Sequence, residues 1–267
     1  MLSRLTIAQK VYLLGLSQLF AMMIMGGFAL YQMNKIGNEL VDIAEEDIPL
    51  TKMLTVVTEH QLEQAILFER ALIKAIRVEQ GLAQMSAFEE AKKKVHDLTV
   101  KTEKELYEVE EFIEKAIPLL HSVEAQEKFK KLLGKLKVVE KSYSTLVDEV
   151  DKTMDYGSNG QIDEMLEFSK KVEAHEDEID KGLISILDEV QNFTLASALQ
   201  AEEDEKYAIK WMTIIASVSI VLGILMPFLV TRAIRTPIMN LIDRLKQVSE
   251  GAVSYTHLTL PTSGEVW

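Results

Sequence analysis

Apolar residues are distributed along this chain in two different ways. Residues 11–31 and 211–230 hold no charged side chain, and a helix of about 20 residues crosses the ~30 Å hydrocarbon core of a bilayer. These runs predict transmembrane helices within residues 11–32 and 207–231. Between them, in residues 33–206, apolar residues recur every three or four positions with almost no alternation of the kind found in strands, which predicts helices throughout.

Residues 33–206 divide into four predicted helices. The first continues from the membrane to about Val78 and is expected to kink or break briefly at Pro49. A turn is predicted at residues 79–81, which end in Gly81, and the second helix spans about residues 82–117. The third ends at the glycine-containing stretch 156–160, and the fourth runs from about Gln161 into the second apolar run. The third helix has the clearest apolar seam, at Phe129, Leu132, Leu136, Val139, Tyr143, Leu146, Val150 and Thr153. We predict an all-α fold, a membrane-anchored up-down-up-down four-helix bundle with two transmembrane helices.

Basic residues lie on the outer side of both apolar runs. Residues 1–10 contain Arg4 and Lys10, and Arg232 and Arg235 follow the second run. Because cytoplasmic flanks are enriched in Lys and Arg, both flanks are expected in the cytoplasm and the region between the runs outside. The first run is longer than the apolar region of a cleaved signal peptide and passes directly into a polar helix, so an uncleaved anchor is favoured.

Charge is concentrated in the middle of the chain. Residues 33–206 hold 39 of the 42 acidic residues and 22 of the 29 basic residues. Such an acidic region repels nucleic acid and anionic lipid, so nucleic acid is not expected as a partner. The chain has no cysteine, which excludes disulfides and thiolate chemistry.

The second apolar run passes directly into an amphipathic segment. Its sequence has the pattern Arg-x-Ile-x-x-Pro-Ile-x-x-Leu and closes on Glu-Gly, with Arg232, Ile234, Pro237, Ile238, Leu241, Glu250 and Gly251 at the pattern positions. The segment resembles the start of a HAMP linker, the signal-relay module of bacterial transmembrane receptors. By this resemblance residues 232–252 are a truncated HAMP linker, in which Arg232, Pro237 and Leu241 are the candidate relay residues.

The order of these segments resembles a methyl-accepting chemotaxis receptor over residues 1–251. Residues 44–72 are similar to the first sensor helix of such receptors, and especially of a subset also found on sensor kinases and nucleotide cyclases. The resemblance implies a homodimer in the bacterial inner membrane, with residues 33–206 as a periplasmic sensor domain. It also implies a small-molecule or periplasmic-protein ligand, and downstream signalling proteins as partners of an output domain.

Residues 253–267 depart from this resemblance. They lack helical periodicity, and the stretch VSYTHLTLPT resembles a translated sequencing adapter, so we interpret them as an artefactual tail that packs on nothing. The output domain would then be missing. Two alternatives therefore stay open: the input half of a sensor histidine kinase or nucleotide cyclase, and a structural membrane-tethered helical protein without a ligand.

Candidate catalytic and metal-binding patterns are weak. The sequence has no Gly-x-Ser-x-Gly, phosphate loop or dinucleotide-binding glycines, so an enzyme is not expected and no cofactor is implied. The Glu-x-x-His pattern of di-iron bundles is absent at His60 and His175, which predicts no metal site. Gln61 and Gln64 share the inner face of the first helix, which indicates interhelical hydrogen bonds or a dimer seam, or alternatively a ligand cavity.

Three cations form the candidate ligand site. Arg70, Lys74 and Arg77 lie on one stripe near the distal end of the first helix. The interpretations are pairing with nearby acids, complementing the helix dipole, or binding a carboxylate across a dimer contact through the planar Arg fork. Aspartate-type chemoreceptors place arginines on this part of the helix, so the resemblance adds weight to the last.

Overall fold

The computed structural model describes residues 6–249, of which nearly all lie in helices. The helices are α1 (Ile7–Asp42), α2 (Ile48–Glu79), α3 (Met85–Ala116), α4 (Val123–Ser158) and α5 (Ile162–Ser249), and a π-helical turn, Ile43–Asp47, separates α1 from α2. Four helical segments pack against one another, and the described residues contain no strand. The all-α class is confirmed. Glu250, Gly251, the tail 253–267 and Arg4 lie outside the described residues.

The chain forms two compact units. Gln32–Lys206 is one unit, and the described residues of 6–31 and 207–249 belong to the other. The division falls within one residue of the boundaries predicted for the sensor region. Each unit is described by itself below.

The core of the Gln32–Lys206 unit follows the predicted apolar period. All residues of the predicted seam on the third helix are buried in α4, and they pack with buried side chains of α2, α3 and α5. Lys92 near the start of α3 pairs with Asp155 near the end of α4, whereas Lys137 in α4 pairs with Glu110 late in α3. These pairs are those expected between antiparallel neighbours, as an up-and-down bundle requires.

Two glycines end helices as the sequence predicts. Gly81 and Gly160 both have φ of 71°, a left-handed conformation that glycine adopts without a Cβ penalty. The amides of Leu82 and Gln161 bond back to the carbonyls of Arg77 and Tyr156, respectively. These bonds satisfy carbonyls at the helix ends. They also explain why α3 begins at Met85 rather than near residue 82, because residues 82 and 83 belong to the closing turn of α2.

The α-helix is interrupted just before Pro49, where the sequence predicts a kink or a brief break. The interruption is a π-helical turn, in which the Ile48 amide donates to the Ile43 carbonyl five residues back. Pro49 lies in the first turn of α2, where its missing N–H costs little. The wider π turn accommodates the proline ring and carries two buried acidic side chains, Glu46 and Asp47.

Candidate functional site

The predicted cationic stripe lies on the surface of α2. Arg70 and Arg77 are exposed, and Lys74 is half-buried. No ion pair within 4.0 Å holds either arginine among the residues described, while Lys74 lies close enough to Glu90 to lower the pKa of that carboxyl, with Lys94 contributing more. Arg77 occupies the last turn of α2, where a cation complements the helix dipole. Pairing with Glu69 or with acids of α5 is therefore not observed, and carboxylate binding here stays a prediction.

The two inward-facing amides are buried between helices. Gln61 and Gln64 are 2% and 0% exposed, and the Tyr143 hydroxyl of α4 donates to the Gln64 side-chain oxygen. Interhelical hydrogen bonding is thus observed for Gln64. The Gln61 side-chain oxygen and the Gln64 side-chain nitrogen have no hydrogen-bond partner in the described chain.

Histidines in the bundle pair with carboxylates rather than forming metal sites. His60 Nδ1 lies 2.6 Å from Glu105 Oε2, and His175 Nδ1 lies 2.5 Å from Glu149 Oε2. Within residues 6–249 there is no group of three His, Asp or Glu side chains arranged to hold a metal ion.

The apolar segments and relay residues belong to the second unit. Two of the described helices contain a stretch long and apolar enough to cross a membrane. Tyr207 and Trp211 pair their rings at 6.0 Å at the start of the second such stretch. Pro237 lies inside α5 without ending it, and Arg232, Pro237 and Leu241 are all exposed along this helix.

A cavity of about 620 Å³ opens at the end of the bundle that carries residues 32 and 206, a size typical of small-molecule sites. Five segments contribute to its wall. They are the end of α1, the π turn, the turn before α4, the first turns of α4, and the part of α5 around Phe193 and Gln200. Ser122, on this wall, caps α4, and its hydroxyl accepts a hydrogen bond from the Ala125 amide.

Each basic side chain of the cavity wall already has an acidic partner. Lys35 pairs with Asp204 at 2.5 Å, and His121 contacts Asp42 through both its ring Nδ1 at 2.6 Å and its backbone amide at 3.1 Å.

Lys128 has two partners in the cavity. Its ammonium pairs with Glu124 at 2.8 Å and lies 4.4 Å from the centroid of the Phe193 ring, a cation–π distance. Each basic side chain of the wall is therefore already paired with a carboxylate, which leaves little excess positive charge to attract an anion.

Asp47, an acidic residue of this wall, forms no ion pair with the described residues. It is 1% exposed, and neither carboxylate oxygen has a hydrogen-bond partner in the described chain. Burial raises the pKa of Asp47 to about 7, an effect opposed by the Thr194 hydroxyl and Lys128 and reinforced by Asp42 and Glu46. The Thr194 hydroxyl proton is engaged by the Val190 carbonyl at 2.8 Å, so it does not satisfy the carboxylate.

Glu39 shares this environment. Its Oε2 is also buried without a partner, and burial together with the nearby Asp204 raises its pKa. Two carboxyl groups that each have at least one oxygen without a hydrogen-bond donor in the described chain therefore lie at one end of the bundle. The sequence contains one signal for this site, namely the run of three acids, Glu45, Glu46 and Asp47, just before Pro49.

No protein-family model, curated protein or solved structure matches this chain.

Proposed function

We propose that this chain is a sensory receptor of the chemotaxis type, anchored in the inner membrane of a bacterium, with residues 33–206 on the periplasmic side. It acts without catalysis. A ligand bound to the helical bundle favours one of two packings, and α5 transmits the change toward residues 232–249. Only a ligand with different affinities for the two packings can shift that equilibrium.

The observation that supports this proposal most directly is the exposure of the two apolar stretches. Of the 18 most apolar consecutive residues in each stretch, only 0% and 6% are buried. A core helix of similar hydropathy in a soluble protein is instead covered by its own chain. Apolar surface of this extent requires another apolar environment, and a bilayer matches the length of both stretches. The basic residues beyond each stretch favour a cytoplasmic location for both ends.

Homodimer formation and signal relay are parts of the same proposal. The segment after the second apolar stretch exposes apolar side chains at helical spacing, Ile238 at 44%, Leu241 at 61% and Leu245 at 60%. A stripe of this spacing is typical of a helix that packs against a partner helix. We propose that the partner is a second copy of the chain. The net negative charge of residues 33–206 repels the sensor region from anionic lipid.

Cysteine labelling tests the topology, and the chain suits it because the native sequence has no cysteine. Asn159→Cys lies in the exposed α4–α5 turn and Asp243→Cys lies near the end of α5. In cells with a permeabilised outer membrane, a membrane-impermeant maleimide is expected to label Asn159→Cys at once, and Asp243→Cys only after the inner membrane is opened. Labelling of both positions before that step, or of neither, would contradict the receptor topology.

A further inference from the structure

We infer that the cavity between the π turn, the start of α4 and α5 is the sensing site of this receptor, and that its ligand is a small organic amine whose ammonium group binds Asp47. This inference deepens the proposed function and rests on it for the role of binding in signalling. The binding itself can be measured independently.

The charge balance of the cavity decides the class of ligand. Lys35, His121 and Lys128 each contact a carboxylate of this unit, so an incoming anion would have to displace an existing acid. Asp47 and one oxygen of Glu39 are the groups that lack hydrogen-bond partners in the described chain. Because these groups only accept hydrogen bonds when ionised, a molecule that donates several hydrogen bonds and carries positive charge complements them.

A primary ammonium group meets this requirement better than a metal ion does. It carries three N–H donors, whereas a divalent cation needs about six oxygen ligands. The described residues contain no suitable group of three acidic or histidine side chains. The Phe193 ring and Ala196 provide apolar wall for the carbon chain of an amine. The ammonium of Lys128 lies 4.4 Å from the centroid of the same ring.

The position of the cavity links binding to both helices that continue into the apolar stretches. Asp47 ends the π turn that follows α1, and Phe193 lies on α5. An ammonium group that neutralises Asp47 changes the packing of the π turn against α5. π turns occur frequently at functional sites because they open a helix locally.

Binding is expected to depend on pH through Asp47. The charged groups that face it are Asp42 and Glu46 on its own segment and Lys128 on α4, with the uncharged Thr194 facing it from α5. Lys35, Glu39 and His121 lie farther along the cavity wall. Burial places the pKa of Asp47 at about 7, so the ionised fraction, and with it the affinity for an ammonium ion, is expected to increase about tenfold between pH 6 and pH 8.

The test is calorimetric titration of the whole chain in phosphatidylcholine nanodiscs at pH 8. The probes are n-butylamine and 1,4-diaminobutane, with 1-butanol, butanoate and MgCl₂ as matched comparisons. We expect one amine-binding site per chain, at least tenfold weaker binding to Asp47→Asn, and unchanged binding to the exposed control Asp97→Asn. Failure of both amines to bind, equal binding to Asp47→Asn, or binding of butanoate or Mg²⁺ instead would overturn the inference.

A second variant guards against a folding defect in Asp47→Asn. Ala196 is exposed on the cavity wall, so Ala196→Trp is expected to fold normally, to fill the cavity, and to weaken amine binding at least tenfold. Full affinity in Ala196→Trp would contradict the site. If the chain binds amines but cysteine labelling contradicts the expected topology, only the receptor proposal is overturned. If labelling gives the expected topology but no amine binds, only this inference is overturned.

Discussion

The Tyr143 hydroxyl on α4 donates a hydrogen bond to the side-chain oxygen of Gln64 on α2, in the buried interior of the bundle. Both side chains are 0% exposed. Burial raises the pKa of Tyr143 well above its ordinary value, with small contributions from Glu103, Glu176 and Glu105. The tyrosine therefore acts as a neutral donor at every pH that the folded protein experiences.

Removing one partner of this pair is expected to destabilise the bundle. Tyr143→Phe leaves the Gln64 oxygen buried without a donor, which costs about 1–3 kcal/mol in the free energy of unfolding. The double variant Tyr143→Phe with Gln64→Leu is expected to regain part of this loss, because both polar groups are then absent. Urea denaturation of the solubilised chain followed by circular dichroism measures both, with the exposed Tyr107→Phe as the control that should change nothing. Gln64→Leu alone completes the double-mutant cycle, and strict additivity of Tyr143→Phe and Gln64→Leu would argue against the bond.

Asp47 is expected to make stability decrease as the pH rises. Its pKa is about 7 in the folded chain against 3.8 for an ordinary Asp, so the folded state holds the proton more tightly and is penalised as the pH increases from about 4 to 7. Since one pH unit of pKa difference is equivalent to about 1.4 kcal/mol, Asp47→Asn should raise the free energy of unfolding by about 2–4 kcal/mol above pH 7. Below pH 4 the two proteins should unfold alike, and a gain of the same size at pH 4 would exclude this explanation.

Two half-buried glutamates, Glu140 and Glu176, are expected to act in the same direction. Burial raises the pKa of Glu140 and of Glu176 to about 7, aided by Glu110 in the first case and Glu69 in the second. The wild-type melting temperature should therefore increase when the pH is lowered from 8 to 6. Glu176→Gln should reduce that increase, whereas the exposed Glu108→Gln should not. Thermal unfolding by circular dichroism across this range checks the prediction, and a melting temperature that falls on acidification to pH 6 would contradict it.

Two glycines in α4 are expected to respond oppositely to the same substitution. A Cβ on Gly157 would lie 2.6 Å from Phe88 Cζ and 3.0 Å from Met165 Sδ, whereas nothing lies within 4 Å of a Cβ on Gly134. Gly157→Ala should cost about 1–3 kcal/mol through overpacking, and Gly134→Ala should stabilise by about 0.5–1 kcal/mol through helix propensity. Urea denaturation should give a lower free energy of unfolding for Gly157→Ala than for the wild type, and a higher one for Gly134→Ala.

The cationic stripe gives a separate prediction about carboxylate binding. If a carboxylate binds across a contact between two copies of α2, Arg70→Ala and Arg77→Ala should each weaken its binding at least tenfold, because the bidentate fork is lost. Titration of the whole chain with small dicarboxylates measures this, with Lys52→Ala, on the same helix, as the control. Equal binding by wild type and both folded variants would place the site elsewhere.

The periodicity of the sequence determined the helical class and the interior of the bundle. The seam from Phe129 to Thr153 is buried at every predicted position, because residues three and four apart share one helix face and apolar residues on that face must be covered. Gly81 and Gly160 ended their helices as predicted, because a left-handed conformation is a local property of glycine.

The tertiary structure decided what periodicity does not encode. The sequence indicated a kink or brief break at Pro49, but it did not indicate that the interruption is a π turn or that Asp47 at its end lies in the wall of a cavity. Asp47 is one of many acids in the sequence, and it is distinguished only by its burial and by the absence of a donor from the described chain. Whether a carboxylate has a partner depends on which distant segments meet around it, so that property arises only when α1, α4 and α5 are assembled.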